Sequence, residues 1–127
     1  MRTYFGSCHC NAVQFEVEAG LDHVRSCDCS VCTKRGALTF RVAPEQLRLL
    51  TSWEALATYQ WGTHTGCDYF CRCCGVLPFR RPSAPTADEL RDGVPRFDGW
   101  AINARCLEDV DVDALPVKRI QGSLLTI

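Results

Sequence analysis

No apolar run in this sequence approaches the roughly 18–20 residues that a bilayer span requires, so no transmembrane helix is expected. The opening MRTYFGSCHC lacks the basic-then-apolar pattern of a secretory leader, which makes a cytoplasmic location the expectation. Net charge is nearly absent too, since 14 lysines and arginines stand against 15 aspartates and glutamates. That balance removes the electrostatic ground for binding nucleic acid or an anionic membrane. Histidine is scarce, at three residues, and no low-complexity tract, long linker or internal repeat divides the chain. At 127 residues it suits one domain, 1–127, large enough to bury a core without cross-links.

Cysteine is what the sequence has in excess, with ten residues. Ten is even, so a disulfide scaffold is one reading. Against it stand the missing leader and the spacing, because Cys8/Cys10 and Cys27/Cys29 are C-x-C pairs that bridge poorly. Closely spaced sulfurs suit convergence on one metal ion instead. SCDCSVC brings Cys27, Cys29 and Cys32 together, one ligand short of a closed tetrahedral site. CRCCG has the form of a zinc knuckle, two thiolates from one turn with glycine following. Its pair is Cys71/Cys74, although spacing alone leaves Cys71/Cys73 open. The economical partition is a closed structural site on Cys8, Cys10, Cys71 and Cys74 and an open one on Cys27, Cys29 and Cys32. Seven thiolates around two Zn²⁺ would lower the net charge to −4, still less suited to a polyanion.

The remaining pattern is mainly β. TYFGSC and AVQFEVE alternate, with Val13, Phe15 and Val17 on one face and Asn11 suited to a turn, so residues 3–18 form a hairpin with the CHC pair near its tip. VRSCDC continues as a strand, and SVCTKRG as one helical turn stopped by Gly36. ALTFRV, LRLLTS, ALATYQW and CDYFC follow as strands. VLPFR is expected at a sheet edge, because Pro78 cannot donate to a ladder. TADEL begins a short helix, with Thr86 capping and Glu89 at the capping-box position.

GSCHCNAVQFEV, CDCSVCTKRGAL, FCRCCGVLPF and INARCLEDVD together resemble the glutathione-dependent formaldehyde-activating family, which includes centromere protein V. The resemblance runs in order from about Tyr4 to Val112. It implies an Mss4-like fold of coiled antiparallel sheets carrying two zinc ions. The first would be held by Cys8, Cys10, Cys71 and Cys74, which decides between Cys73 and Cys74, and the second by Cys27, Cys29 and Cys32. Glutathione is implied as substrate or co-substrate, and the reaction as carbon–sulfur lyase chemistry on its adduct with formaldehyde or a related aldehyde. Cys67 has no counterpart role in the family.

Candidates for the fourth position on the second ion are water, a substrate thiol, Cys106 of the NARC motif, and His9, His23 or His64. The preferred reading is an exchangeable corner, held by water at rest and yielded to an incoming thiol. Lys34 is a candidate partner for a glutathione carboxylate, or simply a solvated lysine, and Asp28 a candidate base or exposed neighbour. A thiol-binding module without turnover and a structural protein with both zincs closed are the alternatives to the enzyme.

Overall fold

The computed structural model describes residues 1–62, 64–84, 87–93 and 96–121. Within them the chain is mainly β, as expected: ten strands and two short helices. A three-stranded sheet is built from β1 (Arg2–Ser7), β2 (Gln14–Ala19) and β5 (Leu47–Leu49), with β2 in the middle. The remaining strands are β3 (Val24–Cys27), β4 (Thr39–Val42), β6 (Leu56–Tyr59), β7 (Cys67–Cys71), β8 (Phe79–Arg81), β9 (Trp100–Asn103) and β10 (Val117–Ile120). They form a seven-stranded sheet in the order β10-β3-β4-β9-β8-β7-β6, antiparallel except where β10 runs parallel to β3. The helices are α1 (Ser30–Arg35) and α2 (Ala87–Arg91). The proposed cap of α2, Thr86, lies outside the described residues.

The alternation in β2 turns Phe15 and Val17 inward, and with Val13 all three are almost wholly buried. Phe15 lies under Gly6 of β1, its cross-strand partner. A side-chain carbon at position 6 would fall 2.3 Å from the ring, so only glycine fits there. Across the core Phe15 meets Phe79 of the larger sheet edge-on, at 5.7 Å between ring centres, and Phe79 meets Trp100 at 5.2 Å. The Phe15–Phe79 pair, in the favoured edge-to-face geometry, joins the two sheets, and the Phe79–Trp100 pair packs β8 against β9 within the larger one.

One expectation fails. β8 is not an edge strand but pairs with β7 on one side and β9 on the other. Pro78 is tolerated because it precedes the strand, where no ladder donor is needed, and its carbonyl accepts the Asn103 amide at 2.9 Å.

Candidate functional site

The connection between β1 and β2 carries Cys8 and Cys10, and the end of β7 carries Cys71 and Cys74. All four sulfurs lie within 4.8 Å of one another. The hairpin turns at Asn11 as expected, with that residue in the left-handed conformation, and the Val13 amide donates to the Cys8 sulfur at 3.3 Å. On the other side the knuckle closes through the Gly75 amide on the Cys71 carbonyl at 2.9 Å, with Gly75 at φ 79°. The amides of Cys73 and Cys74 both point at the Cys71 sulfur, at 3.3 and 3.4 Å. A tetrahedral zinc with bonds of about 2.3 Å spaces its sulfurs by about 3.8 Å. Here Cys8 and Cys10 are 3.7 Å apart and Cys10 and Cys71 3.5 Å apart, so the donor set fits that ion.

Backbone amides also bias the protonation of these sulfurs. The Val76 amide holds Cys74 down to about 6, and the Cys74 amide lowers Cys71. At Cys10 the Ala12 amide pulls downward, but the Cys71 sulfur, burial and the sulfurs of Cys8 and Cys74 prevail and lift it to about 12. Cys74 is thus ready as a thiolate near neutral pH and Cys71 is shifted in the same direction, and a cation would displace the protons that remain.

Cys27, at the end of β3, with Cys29 and Cys32 forms the second group, again within 4.8 Å. Cys29 caps α1, its sulfur accepting the Cys32 amide at 3.4 Å. Gly36 ends the helix as expected, its amide on the Cys32 carbonyl. Among the described residues no fourth histidine, cysteine or carboxylate joins these three. Burial raises the pKa of Cys27, and burial followed by the neighbouring Cys29 sulfur raises that of Cys32. Loading this group therefore expels protons that are bound more tightly than those on Cys71 and Cys74. Each such proton costs about tenfold in metal affinity per pH unit lost. Acidifying a fully loaded protein is expected to release metal in two steps, the Cys27/Cys29/Cys32 ion first. Metal retained after gel filtration at successive pH values checks this, and release of both ions together would contradict it.

The three sulfurs line a cavity of about 90 Å³ whose walls include Arg25, Arg35, Arg41, Arg80 and Arg96 and, among the described residues, no acidic side chain. Two of these arginines are fixed from behind. Asp68 of β7, which is 1% exposed, accepts Arg35 Nη2 at 2.9 Å and Arg80 Nε. Arg80 stands directly opposite Asp68 across the β7–β8 ladder, whereas Arg35 comes from α1. Arg96 bonds to the buried Glu89 of α2, with Nε at 3.0 Å.

None of these arginines, nor Asp68, was singled out from the sequence. The available signals were an aspartate inside the apolar CDYFC and arginines that alternate with the core residues Val24, Phe40, Val42 and Phe79 in VRSC, TFRV and FRR, on the face away from the core.

The other candidates lie elsewhere. Lys34 is exposed and does not reach the cavity; its neighbour Arg35 does. Asp28 is exposed and borders a different groove. His9, His23 and His64 are exposed and outside both sulfur groups, with His23 on Asp22 at 2.7 Å. Cys73 is exposed, and Cys67 is half-buried beside Tyr69.

Cys106 lies beside the first group, near Cys8 and Cys74, and does not join the second. After β9 the Asn103 side chain donates to the Leu77 carbonyl at 2.9 Å and accepts the Arg105 amide at 3.1 Å. These bonds turn the chain toward β1, where Gly6 bridges Leu107. Burial, then the nearby sulfurs of Cys8 and Cys74, pushes the Cys106 thiol up to about 12. It is a protonated neighbour of the first group.

A crystal structure of a Rhodobacter sphaeroides protein is similar to this chain, at 33% identity over 90% of this chain and 99% of that one, with a TM-score of 0.72. The family model for the glutathione-dependent formaldehyde-activating enzyme matches residues 3–94, a span that contains both sulfur groups, while INARC lies beyond it. This chain belongs to the glutathione-dependent formaldehyde-activating enzyme family.

Proposed function

We propose that the chain is a zinc-dependent carbon–sulfur lyase that makes or breaks an adduct of glutathione with a small aldehyde, of the S-hydroxymethylglutathione type. The observation that carries this reading is the group of three sulfurs facing an arginine-walled cavity with no fourth protein ligand among the described residues. Cys8, Cys10, Cys71 and Cys74 hold the structural ion in this scheme, and Cys27, Cys29 and Cys32 the working one. A Zn²⁺ on those three supplies a Lewis acid that lets an entering thiol ionise near neutral pH.

In the forward direction the thiol gives up its proton, its sulfur bonds to the carbonyl carbon, and the carbonyl oxygen takes up a proton. Cleavage reverses each event. Arg80, held by Asp68 and lining the same cavity as Cys32, places a fixed positive charge where negative charge develops.

The zinc-loaded protein should speed exchange between glutathione, formaldehyde and their adduct, measured by NMR exchange spectroscopy. Cys32→Ser is expected to return the rate to the uncatalysed value while the first ion stays bound. Equal rates with and without Cys32 would overturn the proposal. One observation favours a second reading, capture of the thiol without turnover: no carboxylate or imidazole among the described residues lines the cavity to move the proton. Glutathione binding without acceleration would establish that reading.

A further inference from the structure

One wall of the cavity is a face of the seven-stranded sheet. Residues two apart on a strand share a face, so Thr39 and Arg41 stand together on β4. The register sets Arg25 of β3 opposite Thr39 and Ala101 of β9 opposite Arg41. Ala101 is in turn opposite Arg80 of β8. A row therefore runs across three strands with the methyl group of Ala101 between two arginines. Like charges on neighbouring positions of one face destabilise a sheet.

The countercharges are incomplete. Arg35 and Arg80 share Asp68, and Arg96 has Glu89. Arg25 and Arg41 meet no carboxylate among the described residues, and Arg41 rests over the Phe97 ring at 4.9 Å, which does not neutralise it. Arg35 adds a second sign of a missing partner, because its Nη2 serves Asp68 while its Nη1 is buried with no acceptor. An unsatisfied buried donor is a cost that a ligand oxygen removes. Five guanidinium charges face two carboxylates and the single net negative charge of three thiolates with Zn²⁺, an excess of two positive charges.

We propose that Arg25, Arg41 and Nη1 of Arg35 form an anion subsite beside the Cys27/Cys29/Cys32 group, selecting thiols that carry a compact dianion, either two carboxylates or a phosphate. This rests on the reading that the sulfur group receives a thiol. Guanidinium forks match the paired oxygens of either anion, and the flat, always charged fork gives a geometric match that a lysine ammonium does not. The small Ala101 leaves the space between Arg41 and Arg80 in which such a group fits.

The test uses the full chain with Co²⁺ in place of zinc, whose visible absorption changes when a further sulfur joins it. Mercaptosuccinate is expected to bind at least about tenfold more tightly than 2-mercaptoethanol at low salt. That preference should vanish in the Arg25→Gln/Arg41→Gln variant, whose circular dichroism and metal content should match the parent, and should return only in part in Arg25→Lys/Arg41→Lys, which restores the charge but not the fork. Succinate and inorganic phosphate serve as sulfur-free competitors; whichever displaces mercaptosuccinate better identifies the anion as carboxylate or phosphoryl. Equal affinity for the two thiols, with no competition by either anion, overturns the subsite and leaves the thiol reading standing. If no thiol alters the spectrum but calorimetry shows an anion binding to the parent and not to the glutamine variant, the subsite stands and the thiol reading falls.

Discussion

Replacing Cys74 with serine is expected to leave the protein largely unfolded and to remove one metal equivalent, whereas Cys32→Ser should fold and lose only the other. The difference lies in what each sulfur group ties together. Cys10 and Cys71 touch across 61 positions of sequence, joining the β1–β2 turn to the end of β7, and so the smaller sheet to the larger. Cys8 and Cys71 belong to the buried core beside Val13, Phe15 and Phe79. A closed four-thiolate zinc site supplies roughly 10–16 kcal/mol of apparent binding free energy, which is folding free energy when the unfolded chain cannot hold the ion. That is as large as the net stability of an ordinary domain, about 5–15 kcal/mol.

A serine hydroxyl in the knuckle does not ionise at neutral pH and cannot replace a thiolate. By contrast Cys27, Cys29 and Cys32 all come from one six-residue stretch, so their ion closes almost no loop and adds little to chain entropy. Thermal melts followed by circular dichroism, together with metal analysis, check the pair of variants. A cooperative melt of Cys74→Ser at the parent temperature would show that the first group does not hold the fold. Equal unfolding by Cys32→Ser would show that the second group is structural as well.

The two sulfur groups were legible because the motifs that build them are local. C-x-C, C-x-x-C and the cap of α1 are decided within one turn of chain, and backbone amides aimed at Cys71 and Cys29 follow from those turns. The strands were legible for a similar reason, since the alternation of Phe15 and Val17 needs no knowledge of what they pack against. What could not be read was strand order. Pro78 suggested an edge because its own position cannot donate, but the partners of Phe79 and Arg80 are set by β9, more than twenty residues onward. Cys106 is part of a family motif, yet the Asn103 bonds to Leu77 and Arg105 decide which sulfur group it approaches. The arginine wall has the same origin: Arg25, Arg41 and Arg80 are unremarkable as single strand residues and acquire meaning only when the register sets them on one face.

Asp68 depends on that register most of all, and its removal should be the costliest change outside the sulfur groups. Its carboxylate is buried between the Arg80 and Arg35 guanidinium groups, whose side chains are 17% and 23% exposed. Breaking a buried ion pair by deleting one partner costs roughly 3–5 kcal/mol, because the charge left behind is neither hydrated nor paired. Asp68→Ala strands two such charges among three more arginines on the same cavity. A loss at or above the upper end of that range is therefore expected, seen as a lower urea midpoint at unchanged slope. Asp68→Asn keeps an acceptor oxygen and the shape but not the charge, so its loss should be smaller. Because Arg35 ends α1, the helix whose cap and first turn carry Cys29 and Cys32, loosening it should also weaken the second ion while leaving the first untouched. A stabilised Asp68→Ala variant, or one whose two ions weaken equally, would show that Asp68 neither holds the arginines in place nor couples them to the Cys27/Cys29/Cys32 group.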